Sequence, residues 1–245
     1  MSMTDTMKRA LVTGGTKGIG RSVAEMLMEE GYFVTVTYAH DEISAKEFQD
    51  SFVDKASQLE LLKADQNCKA DMARLVDHLK SQPALDCLVL NAGTTLRKGI
   101  TDFADEEWER VMQVNVNAPV YLIRDLHDHL SPNARIVFIG SEMGVYPHGT
   151  SLAYGVTKSA VHALARNLVK FFEGTCTTVN AIAPGFVETE WQKNKPQEIR
   201  NNICKKTALG RFATTEEIAD AVRFVIHNPF VNGSIIEVNG GYNYK

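Results

Sequence analysis

The stretch RALVTGGTKGIGRSVAEMLMEEG, residues 9–31, joins an apolar run to an amphipathic one through a glycine-rich turn. Residues 9–13 read as a strand and residues 19–30 as a helix that Gly31 ends. Between them lie Gly14, Gly15, Gly18 and Gly20 and one cation, Lys17. A P-loop also places a lysine in a glycine turn. It requires that lysine to be followed by Ser or Thr, and here Gly18 follows Lys17. The spacing also departs from Gly-x-Gly-x-x-Gly. Gly14 suits a sharp turn off the strand, Gly18 lets a pyrophosphate approach the backbone, and Gly20 lets the helix pack on the sheet. The helix N-terminus favours an anion. Taken alone, an ordinary glycine-rich turn would read the same way.

Outward from this unit the same alternation continues. Further strands are expected over 33–38, 59–64, 87–91, 135–140, 177–183 and 233–241. Helices are expected over about 42–55, 69–80, 105–130, 152–172 and 215–227, with Thr214 and Glu217 forming a capping box before the last. Residues 87–91 are nearly all apolar, as a strand buried on both faces should be. Strict alternation predicts an α/β fold: one Rossmann-type domain over 1–245, with a doubly wound parallel β-sheet and helices on both faces.

Bulk properties narrow the function classes. A net charge of −4 gives no basic field for nucleic acid. Cys68, Cys87, Cys176 and Cys204 are dispersed and form no C-x-x-C pair, so a reduced compartment is expected. The start MSMTDTMKR lacks an apolar signal core, and no apolar run reaches membrane-spanning length. A cytoplasmic protein without membrane association is the expectation.

Two later features carry chemistry. The second strand ends Thr37-Tyr38-Ala39-His40, with Tyr38 where NAD sites usually place an acid. Asp41 and Glu42 come late and are expected to open the next helix. A 2′-phosphate would meet no carboxylate at Tyr38, and Lys17 is placed to pair with it, with His40 beside it or left on the surface. Tyr154 and Lys158 stand four apart on a helix and share a face. Lowering a phenol pKa by about three units takes roughly 4 kcal/mol, which an ammonium in a dry site plus a cationic ring could supply. Such a pair is common on helices. Ser141, 13 residues earlier and just after an apolar strand, gives it a partner at the carboxyl end of the sheet.

With these residues in order, the chain resembles the short-chain dehydrogenase/reductases over essentially its whole length. The motifs are the 13–20 turn, Asn91-Ala92-Gly93, Asn115, Ser141, Tyr154-x-x-x-Lys158 and Pro184-Gly185. The resemblance implies that Tyr154 is the general acid of a reduction, that Lys158 binds the nicotinamide ribose and lowers the tyrosine pKa, and that Ser141 orients the carbonyl. Asn115 would hold a relay water. Gly14, Thr16, Lys17, Gly18, Ile19 and Gly20 would face the cofactor phosphates, and Tyr38, Ala39, His40 and Asp65 its adenosine. Asn91, Ala92 and Gly93 would line the ribose, Pro184, Gly185 and Val187 would also bind the cofactor, and Thr189 would bond near the nicotinamide or the pyrophosphate. The implied cofactor is NADPH/NADP+. Pro119 has no N–H for the Asn115 carbonyl, so the helix is expected to kink and that carbonyl to hold the water.

Within the family the chain most resembles 3-oxoacyl-(acyl carrier protein) reductases, through 208–222 and 233–242. That implies a thioester substrate on a carrier protein or CoA. Residues 130–135, with only Arg135, and 171–177, with none, lack the bases expected to dock an acidic carrier. A free small carbonyl fits as well, and a non-enzymatic NADPH sensor is the competing class. Residues 186–206 are expected to form a substrate lid, with Phe186 and Trp191 as apolar contacts, or else a helix packed on its own domain. Glu142, Met143, Tyr146 and His148 are placed to line the pocket. His127 and His129 point to different sides of a helix and make a poor metal pair, so no metal is expected. The resemblance implies a homodimer or homotetramer built on helices 105–130 and 152–172.

Overall fold

The computed structural model describes residues 7–147, 149 and 151–244, so His148 lies outside the described residues. Seven parallel strands form one sheet: β1 (Arg9–Val12), β2 (Phe33–Tyr38), β3 (Leu59–Lys63), β4 (Leu85–Leu90), β5 (Leu130–Ile139), β6 (Thr178–Pro184) and β7 (Ile235–Val238). Their spatial order is β3-β2-β1-β4-β5-β6-β7. The chain crosses over between β3 and β4, so the strand order reverses at β1. The crevice of an open α/β sheet forms there, beyond the carboxyl ends of β1 and β4.

The helices are α1 (Gly18–Glu29), α2 (Glu42–Asp50), α3 (Lys69–Lys80), α4 (Asp105–Met112), α5 (Ala118–Leu126), α6 (Leu152–Asn167), α7 (Glu190–Lys193), α8 (Gln197–Lys206) and α9 (Thr215–His227). Alternation along each strand divides the core. Ala10, Val12, Val34, Val36, Val89 and Val137 pack toward α1 and α9. Leu11, Leu88, Leu90, Ile136 and Phe138 pack on the opposite side with α3, α5 and α6. Both faces are dry, which is why these strands read as nearly continuous apolar runs.

Local signals behave as their chemistry dictates. Gly31 takes φ +82° at the end of α1. The amides of Gly31 and Tyr32 return to the carbonyls of Met28 and Leu27. Thr214 Oγ1 accepts from the Glu217 amide and Glu217 accepts from the Thr214 amide, the reciprocal pair of a capping box. Asp41 caps α2, accepting from the Ser44 amide at 3.0 Å.

Several boundaries differ from expectation. The helix expected over 105–130 is three pieces: α4, a π-helical turn at Gln113–Asn117, and α5. In that turn the Ala118 amide bonds the Gln113 carbonyl, and the Val114 carbonyl is taken instead by Gln66 Nε2 at 2.6 Å. Pro119 therefore sits at the start of α5, and the distortion is a π turn rather than a simple kink. His127–His129 form a 3₁₀ turn, and β5 starts at Leu130. The helices expected to reach 55 and 172 end at Asp50 and Asn167, each followed by a 3₁₀ segment. β7 is shorter than 233–241. No helix among the described residues is long and apolar enough to cross a membrane.

Gly20 meets the turn more than the sheet. A Cβ there would lie 2.5 Å from the Gly14 carbonyl oxygen and 2.9 Å from the Gly15 Cα. Gly20→Ala should lower stability by about 1–3 kcal/mol, the usual cost of overpacking. Urea denaturation checks this, and an unchanged midpoint would show that the turn has slack.

Candidate active site

The turn after β1 is tied to the end of β4. Asn91 Nδ2 donates to the carbonyls of Thr13 and Gly14, both at 2.9 Å. Thr13 Oγ1 accepts from the amides of Asn91 and Ala92, both at 3.0 Å. Thr37 Oγ1 of β2 accepts from the Gly14 amide. Gly14 has φ +63° and lies against Ala92, while Gly18 has φ +58° and faces Thr189. Asn91 and Ala92 thus serve first to hold the turn, while Gly93 lies against Asn115 and Lys158.

A cavity of about 700 Å³ opens over this clamp. Every residue assigned from the sequence to catalysis or cofactor binding lines it except Gly20 and Asn115, which act from behind. The site suits a dinucleotide on its own geometry. Side chains at Gly14 and Gly18 would be strained at positive φ, and α1 starts at Gly18 with its N-terminus turned to the turn. At the far end the buried Gln66 Oε1 has no hydrogen-bond partner and suits an amino group such as adenine's. Gln66 was not anticipated, because its contact with Val114 spans 48 residues.

The basic side chains beside Tyr38 and Ala39 face acids. Lys17 Nζ pairs with Asp41 Oδ2 at 2.7 Å, and His40 Nε2 lies 3.2 Å from Asp65 Oδ2. Lys17 and Ser44 hold the Asp41 carboxyl down at about 2. The His40 side chain is otherwise exposed.

Ser151 caps α6, accepting from the Tyr154 amide at 3.4 Å, so Tyr154 sits in the first turn. Lys158 is one turn further, buried, with Nζ 5.5 Å from the Tyr154 ring centre and donating to the Ile139 carbonyl at 2.5 Å. Ser141 Oγ accepts from the Met143 amide at 3.1 Å, which leaves its own proton to give. The Asn115 side chain is fully engaged: Oδ1 accepts from the Thr94 amide, and Nδ2 donates to the Thr94 carbonyl and Thr157 Oγ1. It is a positioning residue joining the loop after β4 to α6.

The far wall follows β6. Pro184, Gly185, Val187 and Thr189 line the cavity, and Thr189 precedes α7. Residues 186–206 are largely α7 and α8 rather than a loop. Trp191 stands edge-on to Tyr154 at 6.2 Å between ring centres. Phe186 packs on Phe212 and Tyr242, as wall rather than lid. Glu142 and Met143 line the cavity as expected. Tyr146 does not, since its hydroxyl is turned to Tyr244. His127 pairs with Asp128 and stacks on Phe172, and no group of metal-binding side chains occurs among the described residues.

Comparison with known proteins agrees with this geometry. A family model described as enoyl-(acyl carrier protein) reductase matches residues 14–243. The 3-oxoacyl-[acyl-carrier-protein] reductase FabG of Aquifex aeolicus is 33% identical, over 96% of each chain. The putative oxidoreductase YtkK of Bacillus subtilis is 30% identical, over 97% of each. A solved short-chain dehydrogenase/reductase from Serratia marcescens superposes with TM-score 0.89 at 28% identity, covering 96% of this chain and 97% of its own. The chain belongs to the short-chain dehydrogenase/reductase family.

As a member of that family the protein is an oxidoreductase, and burial sets the charge states of its central residues. It pushes the Tyr154 phenol up to about 12, with the Ser141 hydroxyl pulling the other way. It brings the Lys158 ammonium down to about 8. Burial outweighs the pull of the Ser141 hydroxyl on the phenol, and Lys158 is itself desolvated and bonded to a backbone carbonyl. His162, one turn beyond Lys158, was also unanticipated. Its Nε2 accepts from the Ser141 amide, and it fills the space that a side chain on Gly140 would take.

Burial and the nearby Lys158 and Arg166 lower the His162 pKa to about 4. The unfolded chain, with an ordinary imidazole near 6.5, binds more protons at this site between these two values, so the His162 contribution lowers stability as pH drops from 6.5 toward 4. His162→Leu should flatten that limb of the thermal-stability profile. An identical pH slope in both proteins would show that His162 is not the titrating group.

Proposed function

We propose that this protein is an NADPH-dependent carbonyl reductase. The observation that carries the reading is the convergence of Ser141, Tyr154 and Lys158 on one cavity whose floor is the glycine cradle of residues 14–18. A nicotinamide cofactor, when bound, supplies the hydride that goes to the carbonyl carbon. Ser141 donates a hydrogen bond to the carbonyl oxygen and orients it, keeping its own proton. Tyr154, protonated throughout the neutral range, gives its proton to that oxygen as negative charge develops. The Lys158 ammonium, held at 2.5 Å by the Ile139 carbonyl, lies under the phenol and favours the phenolate left behind. The carbonyl becomes an alcohol by gaining one hydride and one proton. Asn115 keeps α6 and the loop after β4 in register for this.

The NADPH preference rests on Tyr38 at the strand end and on Lys17 at the cavity edge. Among solved relatives, the angucycline C-6 ketoreductase LanV carries bound NADP and superposes with TM-score 0.89 at 28% identity. On substrate, likeness to 3-oxoacyl reductases supports a 3-oxoacyl thioester, and Arg97, Lys195 and Lys206 around the cavity suit an anionic tether. A free polar carbonyl is the second reading. Arg135, the only base of its segment, is spent on the carbonyls of Ile226 and Cys176 and is not offered to a carrier. Tyr121, Leu152 and Val156 remain exposed on α5 and α6, which supports association through these helices into a homodimer or homotetramer. We place the protein in the cytoplasm on its dispersed, unpaired cysteines.

The test is a carbonyl panel assayed with NADPH and NADH, including acetoacetyl-CoA, a 3-oxoacyl carrier protein and simple ketones. NADPH-driven reduction is expected. Lys17→Ala should weaken NADPH at least about tenfold, or 1.4 kcal/mol, with little change for NADH. A wild-type preference for NADH would contradict the cofactor reading and assign Asp41 to the ribose hydroxyls. Tight NADPH binding without reduction of any carbonyl would point to a sensor.

A further inference from the structure

Glu142 directly follows Ser141, and the chemistry above gives it no task. Its side chain is 4% exposed in the cavity wall, and its Oε2 is buried with no hydrogen-bond partner. That oxygen lies 3.1 Å from the point where a Cβ on Gly185 would stand, so the bare Gly185 leaves room for it. Burial and the charge of Glu237 on β7 both act against ionisation, raising its pKa to about 7. Of the neighbouring phenols, Tyr242 feels the Glu142 charge without bonding it, and Tyr146 is turned to Tyr244 and Glu237.

The fold itself has no use for a carboxyl at this place. The 3₁₀ turn Glu142–Gly144 is held by backbone bonds from Gly144, Val145 and Tyr146 and by the Met143 amide on Ser141 Oγ. Among the described residues the Glu142 side chain caps nothing and pairs with no cation. A buried carboxyl without a partner costs stability that an apolar residue of the same size would not. Such a group is retained where a ligand completes it.

We propose that Glu142 selects the substrate, accepting a hydrogen bond from a hydroxyl or amino group carried within a few bonds of the carbonyl being reduced. Ser141 and Glu142 line one cavity, so they address different positions of one small molecule. The substrate class is then a hydroxy- or amino-ketone rather than a plain alkyl ketone. This rests on the carbonyl-reductase reading.

The test compares butanone, hydroxyacetone and aminoacetone, with their homologues one carbon longer, in wild type, Glu142→Gln and Glu142→Leu. The wild type should favour a donor-bearing ketone over its alkyl counterpart by about tenfold or more in kcat/KM, because binding the alkyl analogue leaves the carboxyl unpaired. Glu142→Leu should lose that preference through a fall on the donor ketone and a gain on the alkyl one. Glu142→Gln keeps an acceptor without the charge. It should keep a preference for hydroxyl and lose one for amine, which tells the two donors apart. NADPH binding by each variant checks that it is folded, and Glu142→Gln decides if Glu142→Leu is not. Equal use of alkyl and donor ketones by the wild type, or a preference that survives in both variants, overturns the assignment and leaves the reductase reading standing. Failure to reduce any carbonyl overturns both.

Discussion

Asn91 joins the carboxyl ends of β1 and β4 with a single side-chain amide, and the rest of the site is arranged around that junction. Its two bonds to the Thr13 and Gly14 carbonyls, returned by Thr13 Oγ1 to the Asn91 and Ala92 amides, satisfy backbone groups that the turn would otherwise leave buried and unpaired. The clamp sits where strand order reverses, so it also fixes the shape of the crevice. Gly14 and Gly20 are glycines because the clamp brings backbone and Asn91 itself too close for a Cβ. The loop after β4 then passes through Thr94 to Asn115 and from there to Thr157 on α6. The cradle and the catalytic helix are therefore parts of one hydrogen-bonded frame.

Burial is the second constraint, and it acts in a single direction on four ionisable groups. Tyr154 and Glu142 are pushed toward their protonated forms, Lys158 and His162 toward their neutral ones. A fold under selection for stability alone would not gather such groups around one cavity. The arrangement leaves a protonated acid beside Ser141 and a neutral imidazole behind its backbone, which suits proton donation to a developing alkoxide.

Much of this was legible in the sequence because it is local. The apolar runs of β1, β2 and β4, the capping box at Thr214 and the stop at Gly31 depend on residues a few positions apart. The glycine turn could be read only with its place between strand and helix. The helix over 105–130 was misjudged because its π turn is fixed by Gln66, far away in the chain, together with Pro119. His162 was missed for the same reason: its role comes from the Ser141 amide 21 residues away, at the end of β5. Lys17 was assigned a phosphate without regard to Asp41, which the end of β2 brings to 2.7 Å.

The central claim is that the Tyr154 phenol is the proton donor in carbonyl reduction. It is tested most directly by steady-state kinetics of Tyr154→Phe on any ketone or thioester the wild type reduces, with NADPH binding measured alongside. The account predicts a folded protein that binds NADPH and loses about 10²–10⁴-fold in kcat, the usual contribution of a positioned acid. Turnover close to wild type would contradict it.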